Sequence, residues 1–180
     1  MGVSPKPHKV ESTEDLIRES LADPTLNNYT HLSKVTERER RLIRMRTGRD
    51  LGGYTHVLQG DRVRHIMKEH GDSVVEMARS PPHIAVTPID ILRIAEILQD
   101  PKGVEDMAPT KGGLRVLRYR KKENGFTYAV VAVNEKTGRI IVLTMYKHKG
   151  GSSLVQNVPS GPSTQTFAPT GRSGQSHFRQ

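Results

Sequence analysis

Thr144, Tyr146 and His148 stand two residues apart near the end of an apolar run, a spacing that puts a hydroxyl, a phenol and an imidazole on one face of a strand. Three polar, hydrogen-bonding side chains on one face make a surface that could hold a ligand. Ile141, Leu143 and Met145 are expected to point the other way, toward packing partners, with Ile140 and Val142 in the polar row. Threonine and tyrosine are also favoured in exposed strands by propensity alone. The alternation therefore leaves a ligand surface and a plain solvent face both open.

His65 and His70 form a second set. Val63, Ile66, Met67 and His70 recur at i, i+3, i+4 and i+7, a helical period. Five residues turn a helix by about 140°, so the two rings leave opposite sides, unlike the i, i+4 pair of a helical zinc site. His70 ends the apolar stripe. There it is either a satisfied core residue or a group at the helix–sheet seam, its pKa raised by the C-terminal dipole. His65 lies on the polar side with Arg64 and Lys68. The chain has no cysteine, which excludes a disulfide framework, a thiolate zinc site and a cysteine nucleophile. No clustered histidine and carboxylate spacing marks a metal site. Gly52-Gly53 and Gly112-Gly113 are isolated pairs, not a phosphate loop, and no G-x-S-x-G elbow is present. Neither metal nor cofactor is expected.

The elements that must position these residues are legible from caps and periods. Ser12 caps a helix to Ala22, and Thr36 with Glu39 opens an arginine-rich helix ending at Thr47-Gly48. Asp61–His70 is helical, Ser73–Arg79 is a short helix stopped by Ser80-Pro81-Pro82, and Thr87-Pro88 with Asp90 starts a helix reaching Leu98. After Gly113 the period changes to two. Leu114–Lys121, Phe126–Asn134 and Arg139–His148 read as strands joined by tight turns, with a further short strand at Gly103–Met107. Helices followed by a meander imply an α+β domain, its helices on one face of a three- or four-stranded antiparallel sheet. The expected organisation is a flexible N-terminus with connector helices over 1–50, the domain over 51–149, and a Gly-, Ser- and Pro-rich disordered tail over 150–180.

Charge narrows the partner. Residues 111–150 hold ten basic and two acidic side chains, +8 of the chain's +9, whereas residues 51–110 carry −3. A basic field concentrated on strands is the footprint of a polyanion. With aromatics at 4%, a platform for stacking single strands is disfavoured. No apolar run reaches membrane-spanning length, so no membrane partner is expected, and Met1–Lys9 lacks the apolar core of a secretion signal.

The segment Arg64-His65-Ile66-Met67-Lys68-Glu69-His70-Gly71 resembles the H-x-x-x-x-H-G helix of phage nucleases of the barnase–EndoU–colicin–RelE (BECR) class. Val86–Ile91, the strands around Leu114–Tyr119 and Tyr128–Val133, and the closing Leu143-Thr144-Met145-Tyr146-Lys147 extend the similarity over Tyr54–Lys149. The resemblance implies metal-independent ribonuclease chemistry of the toxin type, with tRNA among the targets, in which the 2′-hydroxyl attacks phosphorus and leaves a 2′,3′-cyclic end. It implies acid/base work for His70 or His65, with His70 favoured, and phosphate donors in Thr144 and Tyr146. Positive charge and binding would come from Arg118, Arg120, Lys147, His148 and Lys68. It also implies RNA as partner, an immunity protein or a phage head protein as companion, and a setting in the cytoplasm of a target or host cell, on a virion, or inside a larger toxin. The alternative is a non-catalytic nucleic-acid-binding or head-associated structural protein that keeps the sheet without the chemistry.

Overall fold

The structure, a computed structural model, describes residues 6–134 and 137–150. The strands are β1 (His8–Lys9), β2 (Asn28–Lys34), β3 (Thr55–Gln59), β4 (Gly103–Met107), β5 (Val116–Glu123), β6 (Phe126–Asn134) and β7 (Arg139–Lys149). The helices are α1 (Thr13–Ala22), α2 (Glu37–Thr47), α3 (Gly60–His70), α4 (Ser73–Met77), α5 (Pro88–Leu92) and α6 (Ile94–Gln99). The local signals act where the sequence puts them. The Ser12 hydroxyl accepts from the Asp15 amide, Thr36 and Glu39 close a reciprocal capping box, and Gly48 ends α2 at φ 71°, in the left-handed region. The single helix expected from Thr87 to Leu98 is two short ones meeting at Arg93.

The fold is α+β, but the sheet has seven strands instead of three or four and is mixed, in the order β1-β2-β3-β7-β6-β5-β4. β1 and β2 run parallel, as do β3 and β7, and the remaining neighbours are antiparallel. Within the expected flexible N-terminus and connector over 1–50, residues 8–47 supply two strands and two helices. Val10, Leu16, Ile17 and Ile43 are buried in the same core as Leu58, Leu117 and Val130. The boundary at residue 51 therefore cuts through the packed unit. β2 escapes a hydrophobic-pattern reading because its core-side residues are polar. Asn28 and Thr30 are both 1% exposed, satisfied by the Ser20 hydroxyl and the Val10 carbonyl. Gly60 lets α3 approach this pair, since a Cβ there would lie 2.0 Å from the Asn28 Oδ1.

The helices cover one face. Val63, Ile66, Ile91, Ile94 and Leu98 pack with Tyr119, Tyr128, Val130, Ile140, Val142 and Met145. A β-bulge changes the expected parity of β7. Thr144 pairs with Val131 and Val142 with Ala132, so Leu143 is an extra residue. Beyond it the faces exchange. Ile141 and Leu143, expected among the helices with Met145, lie instead on the opposite face with Val57, Val116 and Val133. Ile140 and Val142, expected in the polar row, are in the helix-side core.

β3 pairs with β7 only at Arg139–Ile141. Beyond that point a segment after α4 runs along β7: the Ile84 amide donates to the Lys147 carbonyl at 2.8 Å, and the Val86 amide to the His70 carbonyl at 2.7 Å. This strip carries residues from the helical layer round the sheet edge.

Candidate active site

The face of the sheet opposite the helices presents ordered rows. Thr144, Val131, Arg118 and Glu105 lie across β7, β6, β5 and β4; Tyr146, Ala129, Arg120 and Gly103 form the next row; His148, Thr127 and Lys122 the next. Ala129 and Gly103 are the small residues of the middle row, so the surface dips between Tyr146 and Arg120. A pocket of about 270 Å³ is lined there by Pro81, His83, Arg118, Arg120, Ala129, Tyr146 and His148. A second hollow of about 220 Å³ shares Arg120 and continues over Lys102, Gly103, Lys122 and Thr127.

His83 comes from the strip along β7. Its ring stacks on Tyr146 with centroids 4.9 Å apart and planes 8° apart, and lies 6.3 Å from the His148 ring. Behind it stands Glu76, wholly buried on α4. Its Oε2 is 3.1 Å from His83 Nδ1 and its Oε1 is 3.2 Å from His70 Nδ1. A carboxylate offers only acceptors, so both rings carry their proton on Nδ1 and leave Nε2 as the exchanging nitrogen. Arg79 also donates to Glu76. Burial alone would raise the Glu76 carboxyl, but the hydrogen bonds from Arg79 and His70 hold it below the ordinary range, and it stays ionised.

On the other wall the Arg118 Nη1 donates to the Tyr146 hydroxyl at 3.2 Å, and its Nε to Glu105 at 2.8 Å. Arg120 also pairs with Glu105. One carboxylate thus holds two guanidiniums against the pocket. The basic stretch is largely answered by the acidic one before it: Arg115 pairs with Asp106, Lys121 with Glu96 and Asp100, and Lys147 with Asp90. The +8 field is local cation, not a uniformly free surface. Burial pushes the His148 imidazole down, with His83, Arg120 and Lys122 adding repulsion, so it is neutral near pH 7.

The residues singled out from sequence divide clearly. Tyr146, His148, Arg118 and Arg120 meet at the pocket. His70 lies beside it, ring centroid 6.0 Å from Tyr146, but does not line it. Burial pushes its pKa down against the pull of Glu76, the reverse of the shift expected from a helix dipole. His65 and Lys68 are exposed on the far side of α3 and belong to no part of the site. Thr144 does not line the pocket, and its Oγ1 is enclosed without a hydrogen-bond partner among the described residues. Lys147 falls on the helix side, buried against Asp90 at 2.6 Å, where regular alternation after Met145 puts it. His83, Glu76 and Glu105 were not anticipated. His83 carried one usable signal, a histidine directly after Ser80-Pro81-Pro82 in a connecting segment, where function concentrates. Nor was a metal-type ligand set anticipated; His70, Glu76 and His83 are one by composition and proximity, with His83 in the place that spacing denied to His65.

Among the described residues no helix is long and apolar enough to cross a membrane. Residues 33–154 match a family model described as phage-Barnase-EndoU-ColicinE5/D-RelE like nuclease 3. No curated protein and no solved structure matches.

Proposed function

Because the chain belongs to the phage-Barnase-EndoU-ColicinE5/D-RelE like nuclease 3 family, we propose that it is a metal-independent endoribonuclease whose reaction centre is the pocket between His83, His148, Tyr146 and the two arginines. The observation that carries this reading is the meeting of two imidazoles in one concavity, one of them backed by a buried carboxylate, with two guanidiniums lining the same pocket. Cleavage through a neighbouring hydroxyl needs those parts: a base, an acid and fixed positive charge where the phosphorane develops.

In the proposed reaction His148, neutral at physiological pH, takes the proton of a 2′-hydroxyl. The oxygen attacks the adjacent phosphorus, and the bond from phosphorus to the 5′-oxygen breaks. His83, entering the reaction with a second proton from solvent on Nε2, gives that proton to the 5′-oxygen, leaving a 2′,3′-cyclic phosphate and a free 5′-hydroxyl. The proton taken by His148 then passes to solvent. Glu76 fixes the His83 tautomer and orientation, as carboxylates do for catalytic imidazoles. Arg118 and Arg120 face the non-bridging oxygens, and the Tyr146 hydroxyl, held by Arg118, adds a donor. His70 acts as a positioning residue through Glu76. The hollow over Lys102 and Lys122 fits a flanking phosphate of a longer RNA, tRNA included. The proposed setting is the cytoplasm of a host or target cell, reached from a virion or within a larger toxin, with an immunity protein as companion.

The test is incubation of the pure chain with total RNA in excess EDTA, followed by analysis of the new ends. Cleavage is expected to persist in chelator and to yield cyclic phosphate and 5′-hydroxyl termini. Activity abolished by EDTA and restored by magnesium, or products bearing 5′-phosphate, would overturn the mechanism.

A further inference from the structure

Resting on the nuclease reading for its consequence but not for its geometry, we propose that His70, Glu76 and His83 form a site for one divalent transition cation of the zinc class, and that filling it switches the nuclease off. Two imidazole nitrogens and a carboxylate are a donor set that zinc takes readily, with a water in the fourth position. The three ligand atoms lie within 4.8 Å of one another. Four-coordinate zinc with bonds of about 2.0–2.1 Å holds neighbouring ligand atoms about 3.3 Å apart. With one carboxylate oxygen as ligand, one separation is already close to that, either the 3.2 Å from His70 Nδ1 to Glu76 Oε1 or the 3.1 Å from His83 Nδ1 to Glu76 Oε2.

The ligands come from three segments, each fixed by backbone hydrogen bonds. The His83 amide donates to the Glu76 carbonyl at 2.9 Å, the Ile84 amide to Lys147, and the Val86 amide to the His70 carbonyl. Little ordering is therefore left to bring the donors together. Glu76 is enclosed, whereas the His70 and His83 side chains keep 12% and 18% of their exposure, so a cation arriving from solvent meets both rings first. Arg79, whose charge sits beside the same carboxylate, weakens the site and makes the switch reversible.

Binding exchanges tautomers. Each Nδ1 proton moves to Nε2 of its own ring as the metal takes the Nδ1 lone pair, and ring charge is unchanged. The Nε2 that His83 uses for proton transfer then carries a fixed hydrogen on a ring tethered to the metal. Proton exchange at that atom stops.

The full chain, stripped with EDTA and freed of chelator, is titrated with cobalt(II) and followed by visible absorption, then with zinc in competition. The expected result is one equivalent of four-coordinate cobalt, displaced by zinc, with affinity at least tenfold weaker in His83→Ala and unchanged in His65→Ala. In parallel, one equivalent of zinc is expected to suppress RNA cleavage and EDTA to restore it. No four-coordinate spectrum, or equal affinity in His83→Ala, overturns the site. Stoichiometric binding that leaves cleavage unaffected overturns the switch. Because cobalt binding is read without RNA, a chain that binds metal but never cleaves RNA overturns the nuclease reading alone.

Discussion

Replacing His83 with alanine is expected to lower the rate of RNA cleavage by about 10²–10⁴-fold, the range for loss of a positioned acid or base. Its ring is the one imidazole that both lines the pocket and is backed by a buried carboxylate. The chain should remain folded. The side chain is partly exposed in a connecting segment, and Glu76 keeps Arg79 and His70 as partners when His83 is gone. His70→Ala is the informative contrast. His70 touches Glu76 but not the pocket, so its loss should cost less than that of His83, because orientation through the carboxylate is impaired while the exchanging nitrogen remains. The exposed His65 should be replaceable without effect. Rates on defined RNA, with circular dichroism to confirm folding, decide among these. A folded His83→Ala chain cleaving at the wild-type rate would remove the pocket from the mechanism, and a larger loss in His70→Ala would exchange the two roles.

Lys147→Ala is expected to cost about 3–5 kcal/mol of stability, the penalty for stranding a buried charge. Lys147 was legible as a cation of the basic strand but is 7% exposed, with its ammonium 2.6 Å from the Asp90 carboxylate, which is 5% exposed. Asp90 also closes the capping box of α5 with Thr87, so the pair pins that helix to β7. Burial alone would raise the Asp90 carboxyl, but Lys147 and Thr87 hold it below its ordinary 3.8. The sign follows from that depression. The contribution is fully present above 3.8 and fades as pH falls through the lower folded value, so wild type and variant should converge in acid. Denaturant melts at neutral and acid pH measure both effects. The double change Lys147→Met with Asp90→Asn, which keeps a capping side chain and removes both charges, should recover most of the loss. Unaltered stability in Lys147→Ala, together with weakened RNA binding, would return Lys147 to the substrate surface.

Resemblance in the motifs read over Tyr54–Lys149 pointed to the nuclease family, whose match extends over 33–154. Within the site, Tyr146 and His148 were legible because a strand's alternation survives wherever its register is unbroken, whereas Arg118 and Arg120 came from the resemblance. Leu143 defeated the rest of β7. A bulge is one extra residue, and nothing in Val142-Leu143-Thr144 distinguishes it from a regular strand until β6 pairs alongside. Ile140, Ile141, Val142 and Leu143 were put on the wrong faces on that account.

What the sequence determined by itself is local. Ser12, the Thr36–Glu39 and Thr87–Asp90 boxes, Gly48 and the tight turn before Phe126 act over three or four residues, so their outcome is nearly independent of the rest of the chain. What only the tertiary structure decided is which polar groups satisfy one another across it. β2 and β3 were invisible because Asn28, Thr30 and His56 are buried polar residues whose partners lie elsewhere. Glu39, a capping residue by its spacing, is also the acceptor for Tyr119, 80 residues away. The acidic stretch neutralises the basic one, and a histidine behind two prolines reaches the pocket through a carboxylate on a helix that the sequence marked only as short. Hydrophobic period reports which face is dry. It carries no information about a polar group whose hydrogen bond closes only when a distant strand arrives, and in this protein those groups make the site.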